Sequence, residues 1–238
     1  AAGLASAPNE RQVHEARKGL QRTRALLALL SCSPARDHAR TMNRLARDIG
    51  RQLSARRDGE ILPATLSKLE ARFGLDPRAL TASVRQAVNA AIAATATPEP
   101  TDSLQQPLAL LRRHADALAN AKLKFGMIAD AAALAYGDGH RRFKDLGAKP
   151  DDDRLHDLRK AAQLHWRHMA FLSPAWPAHY QARVAMLKEL SQNLGEHQDL
   201  AVLSAFIARQ SRDTLTASDA TALASLIQAR QDELYVVS

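Results

Sequence analysis

Val13-His14-Glu15-Ala16-Arg17-Lys18-Gly19-Leu20-Gln21 recurs later in the chain as Leu155-His156-Asp157-Leu158-Arg159-Lys160-Ala161-Ala162-Gln163, with His, acid, Arg, Lys and Gln in register. Further along, Leu53, Asp58, Ile61 and Leu62 match Leu194, Asp199, Val202 and Leu203 at a spacing one residue shorter. A register kept across two segments is the mark of an internal duplication. Outward from these stretches, apolar residues return every three or four positions, as in Leu20, Thr23, Leu26, Leu27, Leu30 and in Leu45, Ile49, Gln52, Leu53. That is the period of a helix packed on one face.

With only 10 Gly and 10 Pro, breaks are few. They are expected at Ser31–Pro34, Gly74–Pro77, Thr97–Ser103, Gly137–Gly139, Gly147–Asp153, Ser173–Pro177 and Thr214–Ser218. The chain reads as one all-α domain over 1–238, with about ten helices. It comprises a four-helix repeat over about 9–96, a helical insert over about 101–147 and a second four-helix repeat over about 151–238. Tandem repeats of this kind are expected to pack about a pseudo-twofold axis, by analogy with symmetric dimers. A basic groove or pore is then expected at the centre.

On a helical wheel His14, Arg17, Lys18 and Gln21 fall within about 50° of one another's centre, flanked by Arg22 and Arg24, with the leucines opposite. His156, Arg159, Lys160, Gln163 and Arg167 do the same in the second copy. These helices carry few acids for their cations to pair with. His165 falls on the apolar side and reads as a hydrogen-bonded packing residue beside Trp166; His168 lies away from the basic centre. Rigid rows of guanidinium, ammonium and imidazole groups are donors for oxyanions.

The sequence has 33 basic against 25 acidic residues, a net charge of +8, and 25 of the basic residues are Arg. Arg grips phosphate or carboxylate with a planar fork. Hydrophobic residues at 46% and charged residues at 24% exclude a disordered chain. The single Cys32 excludes a disulfide framework and a Cys-based zinc site, and fits a reducing compartment. No apolar run approaches the roughly 18 residues of a membrane span, and Ala1–Pro8 lacks the pattern of a signal peptide, so a soluble cytoplasmic protein is expected.

At the repeated histidine motifs, at Leu53–Asp58, at Pro174-Ala175-Trp176-Pro177 and at Leu194–Leu203, the chain resembles the CHAD family, the conserved histidine α-helical domain. The resemblance covers nearly the whole chain. It implies an all-helical fold of two bundle halves about a pseudo-twofold axis, and binding of inorganic polyphosphate on a basic central surface, in some members on polyphosphate granules. Carried over by position, it implies phosphate contacts from His14, Arg17, Lys18, Arg22 and Arg24, and from His156, Arg159 and Lys160, with Arg167 on the same face. Gln21 and Gln163 stand where the family often has Lys, and Leu164 where it often has a basic residue. Further cations are then candidates: Arg51, Arg56, Arg57, Lys122, Lys124, Arg141, Arg142 and Lys144. Asp58 and Asp199 read as helix caps or partners that orient an arginine.

No cofactor, metal or catalytic residue is expected. His-x-x-x-His and Glu-x-x-His pairs are missing, Asp153-x-x-His156 reads as a helix cap, and there is no phosphate-cradling Gly-rich loop or nucleophile elbow. The alternatives are non-specific nucleic-acid binding, for which aromatic residues at 4% offer few stacking platforms, and a histidine phosphoacceptor or metal-binding domain. If His14 and His156 touch phosphate, affinity should rise as pH falls through the histidine range.

Overall fold

The computed structural model describes residues 10–53, 58–95, 105–119, 121–147, 150–210 and 215–237. Among them every regular element is helical: α1 (Glu10–Ala28), α2 (Arg36–Gln52), α3 (Asp58–Phe73), α4 (Ala82–Thr95), α5 (Gln105–Ala119), α6 (Phe125–Lys144), α7 (Asp152–Leu172), α8 (Pro177–Ala208) and α9 (Ala217–Val237). A 3₁₀ turn, Ser173–Ala175, joins α7 to α8. No described helix is long and apolar enough to cross a membrane.

Local chemistry sets these boundaries. Gly74, at φ +62°, ends α3 with the left-handed residue that a side chain would strain, and the Leu75 N–H donates back to the Glu70 carbonyl, a Schellman closure. Asp151 caps α7, its Oδ1 accepting from the Arg154 N–H at 2.8 Å, so the cap sits two residues before the expected Asp153. Asp152 and Asp153 occupy the first turn instead, where negative charge suits the helix dipole. Thr216 caps α9 through the Asp219 N–H, and Pro177 starts α8 at a position where its missing N–H costs nothing.

Two expectations are corrected. Gly137-Asp138-Gly139 does not break the chain; α6 runs through it, because Asp138 reaches one turn ahead to both Arg141 (3.2 Å) and Arg142 (2.8 Å). Gly139 lets α6 come close to α7, since a Cβ there would stand 3.4 Å from that of Ala161. The second repeat runs as three described helices rather than four, since the uninterrupted 32-residue α8 covers the stretch corresponding to α2 and α3. One pair of helix starts nonetheless follows the repeat. Arg36 and Pro177, the first residues of α2 and α8, keep the spacing of Leu53 to Leu194.

The chain divides into two compact units, each drawing on both repeats: one within 1–55, 98–145 and 161–188, the other within 56–97, 146–160 and 189–238. In the first, α1 packs on α2 and α2 on α5. Val13, Ile49 and Leu53 form one buried cluster, Leu27, Leu30, Ala39 and Met42 another. Leu26, expected on the apolar face, is exposed, and Ala25 is buried in its place. In the second unit α3 packs on α4 and α9, around Leu66, Leu69, Val84, Val88, Leu203, Leu223 and Ile227. Each leucine so buried is worth roughly 1.5–3 kcal/mol.

Candidate anion-binding site

The buried row of α2 is Ala39, Met42, Ala46 and Ile49, and this spacing throws a second row to solvent: Arg36, Arg40, Arg44, Arg47 and Arg51. Where α2 lies along α1, the two helices enclose an open groove of about 230 Å³ lined by Arg17, Leu20, Gln21, Arg24, Ala46, Arg47, Gly50 and Arg51. Four of these eight residues are arginines. At Gly50 an added Cβ would meet nothing within 4 Å, so the lining is open there.

The arginines are held from outside the groove. The Arg24 Nε donates to Asn43 Oδ1 at 2.9 Å, and Arg17 Nη1 to the Leu53 carbonyl at 3.5 Å. Asp48 sits 3.5 Å from Arg47 and 3.7 Å from Arg51. Burial, and then the charges of Arg47 and Arg51, pull the Arg24 pKa below its ordinary value. Its charge is therefore incompletely compensated, which is the condition an added anion relieves.

Gln21 Oε1, on the same groove, accepts from Arg167 Nη2 at 2.6 Å. Arg167 Nη1 donates to the Gln163 carbonyl at 2.8 Å, and its guanidinium stacks 4.4 Å above the Trp166 ring. Burial, and then Arg22, lower its pKa in turn. Gln21, standing where the family often has Lys, thus tethers an arginine.

The other sequence-selected cations fall elsewhere. His14, Lys18 and Arg22 are exposed on α1, and Lys18 pairs with Glu15 at 3.1 Å. In the second unit Lys160 pairs with Asp157 at 2.9 Å in the matching geometry. The few acids these helices carry are thus well placed: each motif holds its own carboxylate one turn before its lysine. Lys18, chiefly, holds the Glu15 carboxyl below its usual range. Arg141 and Arg142 are engaged by Asp138, while Lys122, Lys124 and Lys144 are exposed. Arg56, Arg57 and the Asp58 side chain lie outside the described residues.

In the second unit His156 is half-buried, and its Nδ1 has no hydrogen-bond partner among the described residues. Its pKa is lowered by burial first and by Lys160 and Arg159 next. The Leu194–Leu203 segment is scaffold. Gly195 makes room for the Arg159 guanidinium, Glu196 binds Arg230 at 2.7 Å, and His197 approaches Asp152 at 3.8 Å. Asp199 lies within α8 and so caps nothing; it lines a small cavity with Thr65, Lys68, Glu196 and Arg230.

His168 is fully buried and its Nε2 meets the Ala25 carbonyl at 3.0 Å, in keeping with its place away from the basic centre. His165 packs against Tyr136, ring centroids 5.2 Å apart, and its Nδ1 has no hydrogen-bond partner among the described residues.

Sequence reasoning selected Arg17, Arg24 and Arg51 and missed Arg47. The signal was available, since Arg36, Arg40, Arg44, Arg47 and Arg51 follow the three- and four-residue spacing of one helical face. Compared with known families, residues 1–208 match the model of the CHAD domain. Comparison with curated proteins and with solved structures gives no match.

Proposed function

The chain belongs to the CHAD domain family, and from that premise we propose that it binds inorganic polyphosphate, with the arginine groove between α1 and α2 as a principal contact surface. The observation that carries this reading is the convergence of Arg17, Arg24, Arg47 and Arg51 on one groove with Asp48 as the acid bridging two of them. Guanidinium groups bind phosphate oxygens through paired, charge-assisted hydrogen bonds. A surface that gathers four of them along one groove favours a polyanion over a single carboxylate. His14, Lys18 and Arg22 extend the same side of α1. In the second unit His156, Arg159 and Lys160 offer a further set, described there by itself.

This is a reading of binding without turnover. The protein presents cations and oriented donors to a ligand that leaves unchanged, and it acts in the cytoplasm, where it follows polyphosphate to granules. Membership in the family and the dominance of arginine support it. The scarcity of aromatic residues weighs against a nucleic-acid site built on base stacking.

Calorimetric titration with long-chain polyphosphate, tripolyphosphate and a single-stranded RNA of matched charge tests the reading. Long-chain polyphosphate is expected to bind tightest and to displace the RNA. RNA binding that polyphosphate fails to displace would overturn the assignment.

A further inference from the structure

Resting on that reading, we infer that Asn43 and Gln21 are positioning residues for the anion site: neutral amide oxygens that aim Arg24 and Arg167 without spending their charge. The two contacts are alike in chemistry and independent in the chain. Asn43 Oδ1 on α2 takes the Nε–H of Arg24, and Gln21 Oε1 on α1 takes an Nη2–H of Arg167, at 2.9 and 2.6 Å.

Elsewhere among the described residues, arginines bound by another side chain more often meet a carboxylate. Arg72 has Glu233, Arg85 has Glu70, Arg142 has Asp138 and Arg230 has Glu196. A carboxylate orients a guanidinium but also offsets part of its charge and competes with an incoming phosphate, as Asp48 does at Arg47 and Arg51. An amide oxygen supplies the geometry and leaves the charge. At both Arg24 and Arg167 the charged form is disfavoured, by burial first and by neighbouring arginines next.

A long, flexible side chain that must be ordered by its ligand loses part of the binding energy to that ordering. An arginine pinned at Nε keeps its two Nη groups presented, the edge that meets two phosphate oxygens at once. Asn43 thus pre-orders Arg24 in the groove. Arg167 is held at the other end of its guanidinium: Gln21 takes Nη2, the Gln163 carbonyl takes Nη1 and the Trp166 ring lies against its face, so Gln21 fixes where that charge stands rather than presenting a free pair of Nη groups.

The test uses the full chain and long-chain inorganic polyphosphate, titrated at several salt concentrations, with thermal unfolding recorded for each variant. Asn43→Leu and Gln21→Met remove the acceptor at nearly constant volume and charge; Asn43→Asp and Gln21→Glu keep the acceptor and add the charge. The neutral variants are expected to bind more weakly by about threefold to tenfold, with log K against log salt shallower by up to about 0.7 for each arginine no longer presented. The acidic variants should bind more weakly still, by about tenfold or more, while melting as high as the parent or higher. An amide that served structure alone would shift the melting temperature and leave affinity and salt slope as they were, which would overturn the inference. Rescue of affinity by Asn43→Asp would overturn it as well. A parent protein that binds no polyphosphate would remove the functional reading itself, a result distinct from a binding parent with indifferent variants.

Discussion

Arg159 lies flat against Gly195: a Cβ on that glycine would stand 3.1 Å from Nη2 and 3.2 Å from Cζ of the guanidinium. The arginine of the second histidine motif is therefore placed by a residue on α8. Alanine at 195 adds one methyl against the movable end of a side chain and gains helix propensity. Gly195→Ala should accordingly change stability by no more than about 1 kcal/mol in either direction. Leucine cannot be accommodated without evicting Arg159, and Gly195→Leu should cost about 1–3 kcal/mol in urea denaturation.

Asp48 is bound to the two groove arginines of α2 and competes with any anion for them. Asp48→Asn should raise polyphosphate affinity by about twofold to fivefold at low salt, the scale of an exposed ion pair, with the gain fading as salt is added. Calorimetry at two salt concentrations checks this.

Acidification should pull stability and binding in opposite directions. Burial lowers the pKa of His156, His165, His168 and His197 in the folded protein. For a lowered pKa the unfolded chain takes up protons first. The stabilising contribution is thus complete above the ordinary histidine value of about 6.5 and is lost as pH falls through the folded values below it. Urea midpoints measured from pH about 8 to about 5 should be flat in the upper half and decline in the lower. A bound polyanion favours the charged His156, so affinity should rise over the same lower range, provided the fold holds.

In the second unit Glu70 is buried and bonded by Thr81 and Arg85, which fastens α4 to the end of α3. Thr81→Val leaves one carboxylate oxygen without its donor. A loss of about 1–3 kcal/mol in chemical denaturation is expected, with polyphosphate affinity unchanged, since none of the three residues lines the groove.

The all-helical fold and breaks such as Ser31–Pro34, Gly74–Pro77 and Ser173–Pro177 were legible because the apolar period and the turn residues are local properties of the chain. Two features failed to show at that level. Gly137 and Gly139 signal a break by propensity, yet Asp138 bonds ahead to two arginines and Gly139 meets α7; tertiary contact overrides the local preference. The groove depends on which face of α2 meets α1. The histidine motif announces α1, whereas the α2 face carries no motif beyond evenly spaced arginines, so Arg47 went unselected. Asn43 is invisible to any wheel drawn for charge, because its part is to accept a hydrogen bond across the helix pair. Gln21 reads in sequence as a lost cation and in structure as the residue that holds Arg167.

The most direct measurement of the central claim is the salt dependence of long-chain polyphosphate affinity for the parent and for a variant carrying Gln at Arg17, Arg24, Arg47 and Arg51 together. If these arginines meet phosphate, the variant should remain folded, bind at least about a hundredfold more weakly, and show a log K against log salt slope smaller by about 3, near 0.7 for each contact removed. A folded variant with the affinity and slope of the parent would contradict the account.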